Sequence, residues 1–94
     1  MQRLLNDRLD WNLLRTFRVI GQELSISRAA ARLHLTQPAV SQALKRLEEQ
    51  LGRQLIARRG PRFALTEVGE QIFALAGEIY GQMSQVSSVL EQPA

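Results

Sequence analysis

The sequence predicts a mainly α-helical domain that carries one small two-stranded β-ribbon and ends in a long helix. Three observations predict it. Apolar residues recur at intervals of three and four through most of the chain, as one face of an α-helix requires. That period breaks once, in "RQLIARRGPRFALT", where apolar residues sit on two short arms around Gly60 and Pro61. Residues able to cap a helix, Ser25, Thr36 and Thr66, stand just before three of the helical runs. With 94 residues, 45% of them hydrophobic, the chain has material for one core, since a chain this size buries only about two-thirds of its unfolded surface.

In the first helix, starting near Asp10 or Asn12, the residues Leu13, Phe17, Ile20 and Leu24 fall on one side, with Gly21 near the end. Ser25 opens a short second helix whose inner face is Ile26, Ala29, Ala30 and Leu33, the alanines letting another helix approach closely. Thr36 caps a third helix with Pro38 in its first turn, where a missing N–H removes no intrahelical bond. Val40, Leu44, Leu47 and Leu51 form its core face, and Gly52 is its left-handed stop.

The ribbon places Leu55, Ile56, Phe63 and Leu65 on its arms and has a basic tip. Thr66 then caps the long fourth helix, with Glu67 and Glu70 at the positive end of its dipole. Two apolar stripes run along this helix, one through Val68, Ile72, Leu75, Ile79 and Val86 and one through Phe73, Ala76, Tyr80, Met83 and Leu90. One stripe suffices to cover the domain's own core. The other needs a second cover, either a like helix from another subunit or the remainder of a longer chain. Gly69, Gly77 and Gly81 weaken isolated helicity, so packing must hold the segment.

Charge is unevenly spread. From Ser27 to Arg62 the bases Arg28, Arg32, Lys45, Arg46, Arg53, Arg58, Arg59 and Arg62 face only Glu48 and Glu49, a balance of +6 within a chain of net +3. Residues 63–94 hold Glu67, Glu70, Glu78 and Glu91 and no base. The middle is a candidate surface for a polyanion. No cysteine is present and His34 is the one histidine, so no metal site, disulfide or cofactor is expected. An enzyme would need convergent acid, base or nucleophilic groups that the chain does not offer. No apolar run approaches the roughly 20 residues of a membrane span, and "MQRLLNDRLDW" mixes acids with bases, unlike a signal peptide. A soluble cytoplasmic protein is the expectation.

The third helix answers what the basic middle is for. At about 100° per residue, Pro38, Gln42, Lys45 and Glu49 lie opposite the apolar arc, flanked by Ser41 and Arg46. Glutamine pairs with adenine in a bidentate fashion, serine bonds phosphate or a base edge, and lysine binds phosphate or guanine. Glu48 and Glu49 near its C-terminal end would repel phosphates, so the N-terminal half is expected to enter a major groove. By the same angles Gln37 falls nearer the core side, and only its place at the helix start favours a contact. A short helix, the turn "LHLT" and a second helix with such a face make a helix-turn-helix, and the basic ribbon makes it winged.

The stretch from Leu13 to Tyr80 also resembles the amino-terminal DNA-binding domain of the LysR-type transcriptional regulators, most specifically in "SRAAARLHLTQPAVSQALKRLEEQLG" and, further on, "ALTEVG". The resemblance implies a bacterial regulator that dimerises through the fourth helix and binds an interrupted palindrome in double-stranded DNA. It puts DNA contacts on Gln37, Pro38, Ser41 and Gln42 and on the wing. With Lys45, Arg28, Arg58, Arg59 and Arg62 these are the candidate DNA-binding residues, and Ile72, Leu75, Ile79, Tyr80, Met83 and Val86 are the candidate dimerisation residues.

Three positions depart from the family pattern. Gln42 stands where arginine is frequent, Ile56 replaces a common phenylalanine, and Pro61 occupies a wing position that is often basic. Either Arg59 or Arg62 is then the candidate for the minor groove. Family members are much longer, with a carboxy-terminal effector-binding region, a possible tetramer in the full-length parent and a small-molecule effector bound only by that further domain. The end at "LEQPA" reads as a chain cut to isolate its DNA-binding part. The expected organisation is a winged domain over 1–65, with 1–9 as an extension of no assigned role, and a linker and dimerisation helix over 66–94. A sequence-blind architectural DNA binder and a helical protein-interaction module are the competing functions, though a protein groove would want an apolar anchor at Pro38, Ser41, Gln42 and Lys45.

Overall fold

A computed structural model of the chain describes residues 9–59 and 62–93, with the backbone alone at 58, 59 and 62. Helix α1 spans Trp11–Glu23, α2 Ile26–Leu33 and α3 Gln37–Leu51. Strands β1, Ile56–Arg59, and β2, Arg62–Leu65, pair antiparallel with Ile56 opposite Leu65 and Arg59 opposite Arg62. Helix α4, Glu67–Glu91, ends the described chain. The expected turn at Gly60 and Pro61, like the extension before residue 9, lies outside the described residues.

Each helix begins on a side chain that accepts an otherwise orphaned N–H. Asp10 accepts from Asn12, Ser25 from Arg28, Thr36 from Ala39 and Thr66 from Gly69, at 2.8–3.2 Å. Gly52 ends α3 at φ 69°, its N–H donating to the Glu48 carbonyl at 2.8 Å. The other two stops are not glycine. Leu24 at φ 50° and His34 at φ 56° take the left-handed conformation, at a cost of about 1–2 kcal/mol each. This corrects the expectation for Leu24, which does not continue the inner face of α1. Its left-handed backbone turns the side chain outward, where it is 45% exposed.

Helices α1, α2 and α3 enclose a core in which Phe17, Ile20, Val40, Leu44, Leu47 and Leu55 are fully buried. Ala29 and Ala30 are buried as well, so the small residues of α2 do serve a close helix approach. Helix α4 closes the core through its first half. Phe73 lies against the backbone of Gly21, where an added Cβ would stand 2.5 Å from the ring. Gly69 faces the Leu55 carbonyl so closely that a Cβ would collide with it. Glycine at 69 therefore weakens the isolated helix and permits the contact that holds it.

The two stripes of α4 do not divide into one for the core and one for a partner. Gly69 and Ala76 are buried, while Val68, Ile72, Phe73 and Ile79, drawn from both stripes, pack half-buried against the core. The rise per residue sends both stripes past the end of the small domain, so position along the helix decides burial more than phase. No helix among the described residues is long and apolar enough to cross a membrane.

Candidate nucleic-acid interface

The outer face of α3 is built by the packing of its inner one. With Val40, Leu44 and Leu47 fixed in the core, Pro38, Gln42, Lys45, Arg46 and Glu49 are exposed on the other side, and Ser41 is half-buried at the edge. Gln37 is exposed too, which corrects its placement near the core side. The first turn stands clear of α1 and α2, so helical angle alone does not bury it. Among the described residues Thr36 serves that turn, its Oγ1 accepting from the Ala39 N–H at 3.2 Å and its carbonyl from the Val40 N–H at 3.1 Å.

The wing lies on the same side of the molecule. An open cleft of about 590 Å³ has Ser41, Gln42, Lys45 and Glu48 on its α3 wall and Gln54, Ile56, Ala57 and Thr66 on its wing wall. The α3 face and the wing strands thus border one surface. Arg58, Arg59 and Arg62 are placed by their strands only, with Arg59 and Arg62 paired where the ribbon turns; their side chains lie outside the description.

Residues at the wing root were not legible as functional in the sequence. Glu48 Oε2 accepts from the backbone N–H of Leu55 at 2.8 Å and of Ile56 at 3.4 Å. Thr66 Oγ1 donates to the Gln54 carbonyl at 2.8 Å while its own N–H donates to the Leu55 carbonyl at 2.9 Å. Glu48 had been read only as a carboxylate unwelcome near phosphate. Its partner is seven residues away across the Gly52 stop, and no local pattern announces such a bond.

Arg28 lies beside Glu23 at the end of α1, with its side chain 70% exposed. Its Nη2 donates to the Glu23 carbonyl at 3.3 Å, and its Nε lies 3.8 Å from the Glu23 carboxylate. Arg32 Nη1 donates to Glu23 Oε2 at 3.0 Å and to Gln22 Oε1 at 2.9 Å. Both bases of α2 thus face the carboxylate at the end of α1, a favourable place for cations beside unsatisfied helix carbonyls. The sequence signal was an acid five and nine residues before two arginines, which the charge count had treated separately.

The candidate dimerisation residues also divide. Leu75, Met83 and Val86 are exposed, whereas Ile72, Ile79 and Tyr80 are half-buried against their own domain. Tyr80 donates its hydroxyl to the Trp11 carbonyl at 3.4 Å, and the Arg18 guanidinium lies 5.4 Å from its ring centre. Burial raises its phenol above the ordinary value, while Arg15 and Arg18 pull it the other way. Among the described residues no cluster of metal-ligating side chains occurs.

A short helix, a tight turn, a second helix with a polar outer face and a β-ribbon at its flank define a winged helix-turn-helix DNA-binding domain. The pattern described as bacterial regulatory helix-turn-helix protein, lysR family, matches residues 11–70, and the chain belongs to that family. Over 78 residues it is 38% identical to the RuBisCO operon transcriptional regulator of Allochromatium vinosum, covering 83% of this chain and 26% of that one. It is 40% identical over 80 residues to the glycine cleavage system transcriptional activator of Escherichia coli K12, covering 85% and 26%. With the regulator CysB of Thiocapsa roseopersicina it shares 50% over 72 residues, covering 76% and 53%. The chain therefore spans from about a quarter to about half the length of these relatives, all of them transcriptional regulators by name.

Among solved structures, the BenM DNA-binding domain in complex with catB site 1 DNA superposes with a TM-score of 0.82 at 29% identity, covering 88% of this chain and 93% of that one. Full-length OxyR from Pseudomonas aeruginosa gives 0.80 at 32%, covering 89% and 28%.

Proposed function

We propose that this chain is the operator-reading part of a cytoplasmic bacterial transcription regulator. The N-terminal half of α3 enters the major groove, with Gln37, Pro38, Ser41 and Gln42 at base edges or phosphate and Lys45 at phosphate. The wing, through Arg58, Arg59 and Arg62, lies on the neighbouring backbone or minor groove. The observation that carries this reading is the shared cleft, which puts the exposed polar face of α3 and the strands of the wing on one side of the molecule. Gln42 supplies a neutral amide for readout of adenine. Arg28 contributes less than its charge implies, because Glu23 already faces it.

Two copies act together in this reading. The exposed Leu75, Met83, Val86 and Leu90 are the surface that a second α4 covers. Antiparallel pairing of the two helices sets the recognition helices about one turn of DNA apart, roughly 34 Å or slightly more.

Selection of bound sites from a random DNA pool tests the proposal. An interrupted palindrome whose half-sites lie one or a few helical turns apart is the expected product. Recovery of no common sequence would favour a sequence-blind architectural binder, and no retained DNA at all would favour a protein-interaction module.

A further inference from the structure

Glu48 sits one turn before the end of α3, half-buried, and its carboxylate reaches the backbone at the start of the wing. Leu55 is fully buried, so its N–H has no water to turn to, and an unpartnered buried N–H is costly. The carboxylate supplies that partner with one oxygen and extends it to the N–H of Ile56. Bonds to an ionised acceptor are stronger than neutral ones.

The wing root is held from two directions. Thr66 and the close approach at Gly69 fasten Gln54 and Leu55 to the start of α4. Glu48 alone, among the described side-chain hydrogen bonds, fastens Leu55 and Ile56 to α3. The covalent link between α3 and β1 is Gly52 to Leu55, of which Gly52, Arg53 and Gln54 are exposed and Gly52 has a positive φ, so that its exposed part gives little rigidity by itself. The same carboxylate lines the cleft between the Gln42 and Lys45 wall and the Ile56 and Ala57 wall.

We propose that Glu48 is a positioning residue for DNA recognition. Its carboxylate fixes the angle of the wing against α3, so that the major-groove face and the basic strand ends meet one DNA surface in a single docking. Glu48 acts through the wing and touches no DNA. The proposal rests on the reading that the wing contacts DNA.

The test compares wild type, Glu48→Ala, Glu48→Gln, the pair Arg59→Ala with Arg62→Ala, and the pair combined with Glu48→Ala, all on a selected site. Affinity, hydroxyl-radical protection and helical circular dichroism are measured. Glu48→Ala is expected to lose protection on the wing side and about tenfold in affinity, while keeping its preference for selected over random DNA. Glu48→Gln, whose amide oxygen still accepts, stays within about threefold of wild type. In the background lacking Arg59 and Arg62, Glu48→Ala costs less than about twofold more, because a residue acting through the wing then has only Arg58 left to act on.

Wild-type wing protection in Glu48→Ala, together with its loss in the arginine pair, overturns the proposal. So does the full cost of Glu48→Ala in the arginine background. If wild type itself shows no wing protection, the wing reading fails and the proposed role of Glu48 in DNA recognition falls with it; amide exchange at Leu55 and Ile56 tells that outcome from a failure of Glu48 alone, because faster exchange in Glu48→Ala shows that the bond to the wing root exists although the wing meets no DNA. Should Glu48→Ala lose its helical signal, Glu48→Asp, one methylene shorter, takes its place in the same cycle.

Discussion

The two halves of α4 live under opposite conditions. From Glu67 to Tyr80 the helix belongs to the winged domain: Gly69 and Ala76 are buried, Phe73 lies on Gly21, and Tyr80 reaches the Trp11 carbonyl. From Gly81 to Glu91 every residue is exposed, including Met83, Val86, Val89 and Leu90. The first half takes its helicity from packing. The second has no such support within the described chain, and isolated helices shorter than about 12–15 residues are marginal in water. Eight of the fourteen residues from Glu67 to Tyr80 are apolar and four of the eleven from Gly81 to Glu91, yet Leu75 within the first half is 52% exposed, so hydrophobicity of sequence does not by itself tell core from surface. What separates them is whether a neighbour lies within reach, and for the distal half a second copy is the proposed neighbour.

The strongest way to break this contrast is Val86→Glu. In a single chain Val86 is 60% exposed, so the winged domain should keep its helical signal and its melting temperature. At a paired seam the new carboxylate would be uncompensated in both copies, and such a charge costs about 3–5 kcal/mol. Sedimentation should show a shift to monomer, with weaker binding to the palindrome. A variant that dimerises as wild type does would move the seam elsewhere. Ile79→Glu is a poorer probe, because Ile79 already packs half-buried on its own domain and its loss would disturb both halves.

Two glycines within the first half sharpen the contrast by opposite signs, one against the core and one beside open space. At Gly69 a Cβ meets backbone, the Leu55 carbonyl, which cannot swing away as a flexible side chain does. Gly69→Ala should therefore destabilise the fold by about 3 kcal/mol, as overpacking against a fixed neighbour does. At Gly77 an added Cβ meets nothing within 4 Å. Gly77→Ala should stabilise by about 0.5–1 kcal/mol, the ordinary helix preference for alanine. Thermal unfolding of both variants decides it, and destabilisation by Gly77→Ala would mean that an unseen partner approaches α4 there.

Much of this arrangement was legible in the sequence because it is local. Asp10, Ser25, Thr36 and Thr66 cap helices within three residues of themselves, Gly52 marks a left-handed stop, and Val40, Leu44 and Leu47 declare an inner face by spacing alone. The opposite face of α3 follows from that one. Bonds between elements were not legible. Glu48 to Leu55, Glu23 to Arg32 and Tyr80 to Trp11 depend on how helices come together, and the charge count placed Arg32 on a polyanion surface without weighing Glu23. The stripes of α4 failed for a related reason: periodicity gives the phase of a helix but not where along its length the domain stops.

Gln42→Ala tests the one face of the head that packing leaves open. The side chain is exposed, so neither unfolding nor dimerisation should change. Affinity for a selected site should fall by about 1–3 kcal/mol, the usual worth of a good base contact, with a much smaller loss on random DNA. Electrophoretic titration on both DNAs checks this, and equal losses would take Gln42 out of the readout set.

The smallest expected effect separates the bases of α2 from the face of α3. Arg32 reaches Glu23 and Gln22, but its side chain is 47% exposed and that of Glu23 24% exposed, so solvent screens much of the attraction. Arg32→Ala should cost under about 1 kcal/mol of stability, as exposed pairs do. On DNA it should weaken selected and random sequences alike, and less than Gln42→Ala weakens the selected one, because a phosphate contact carries no sequence information. Glu23→Gln distinguishes a base held inside the protein from one waiting for phosphate. If Arg28 and Arg32 serve chiefly to tie α2 to α1, removing the Glu23 charge leaves the dependence of affinity on salt unchanged. If they are phosphate ligands restrained by Glu23, the same substitution frees positive charge for the interface, and the slope of log K against log salt should steepen by about 1 per phosphate gained.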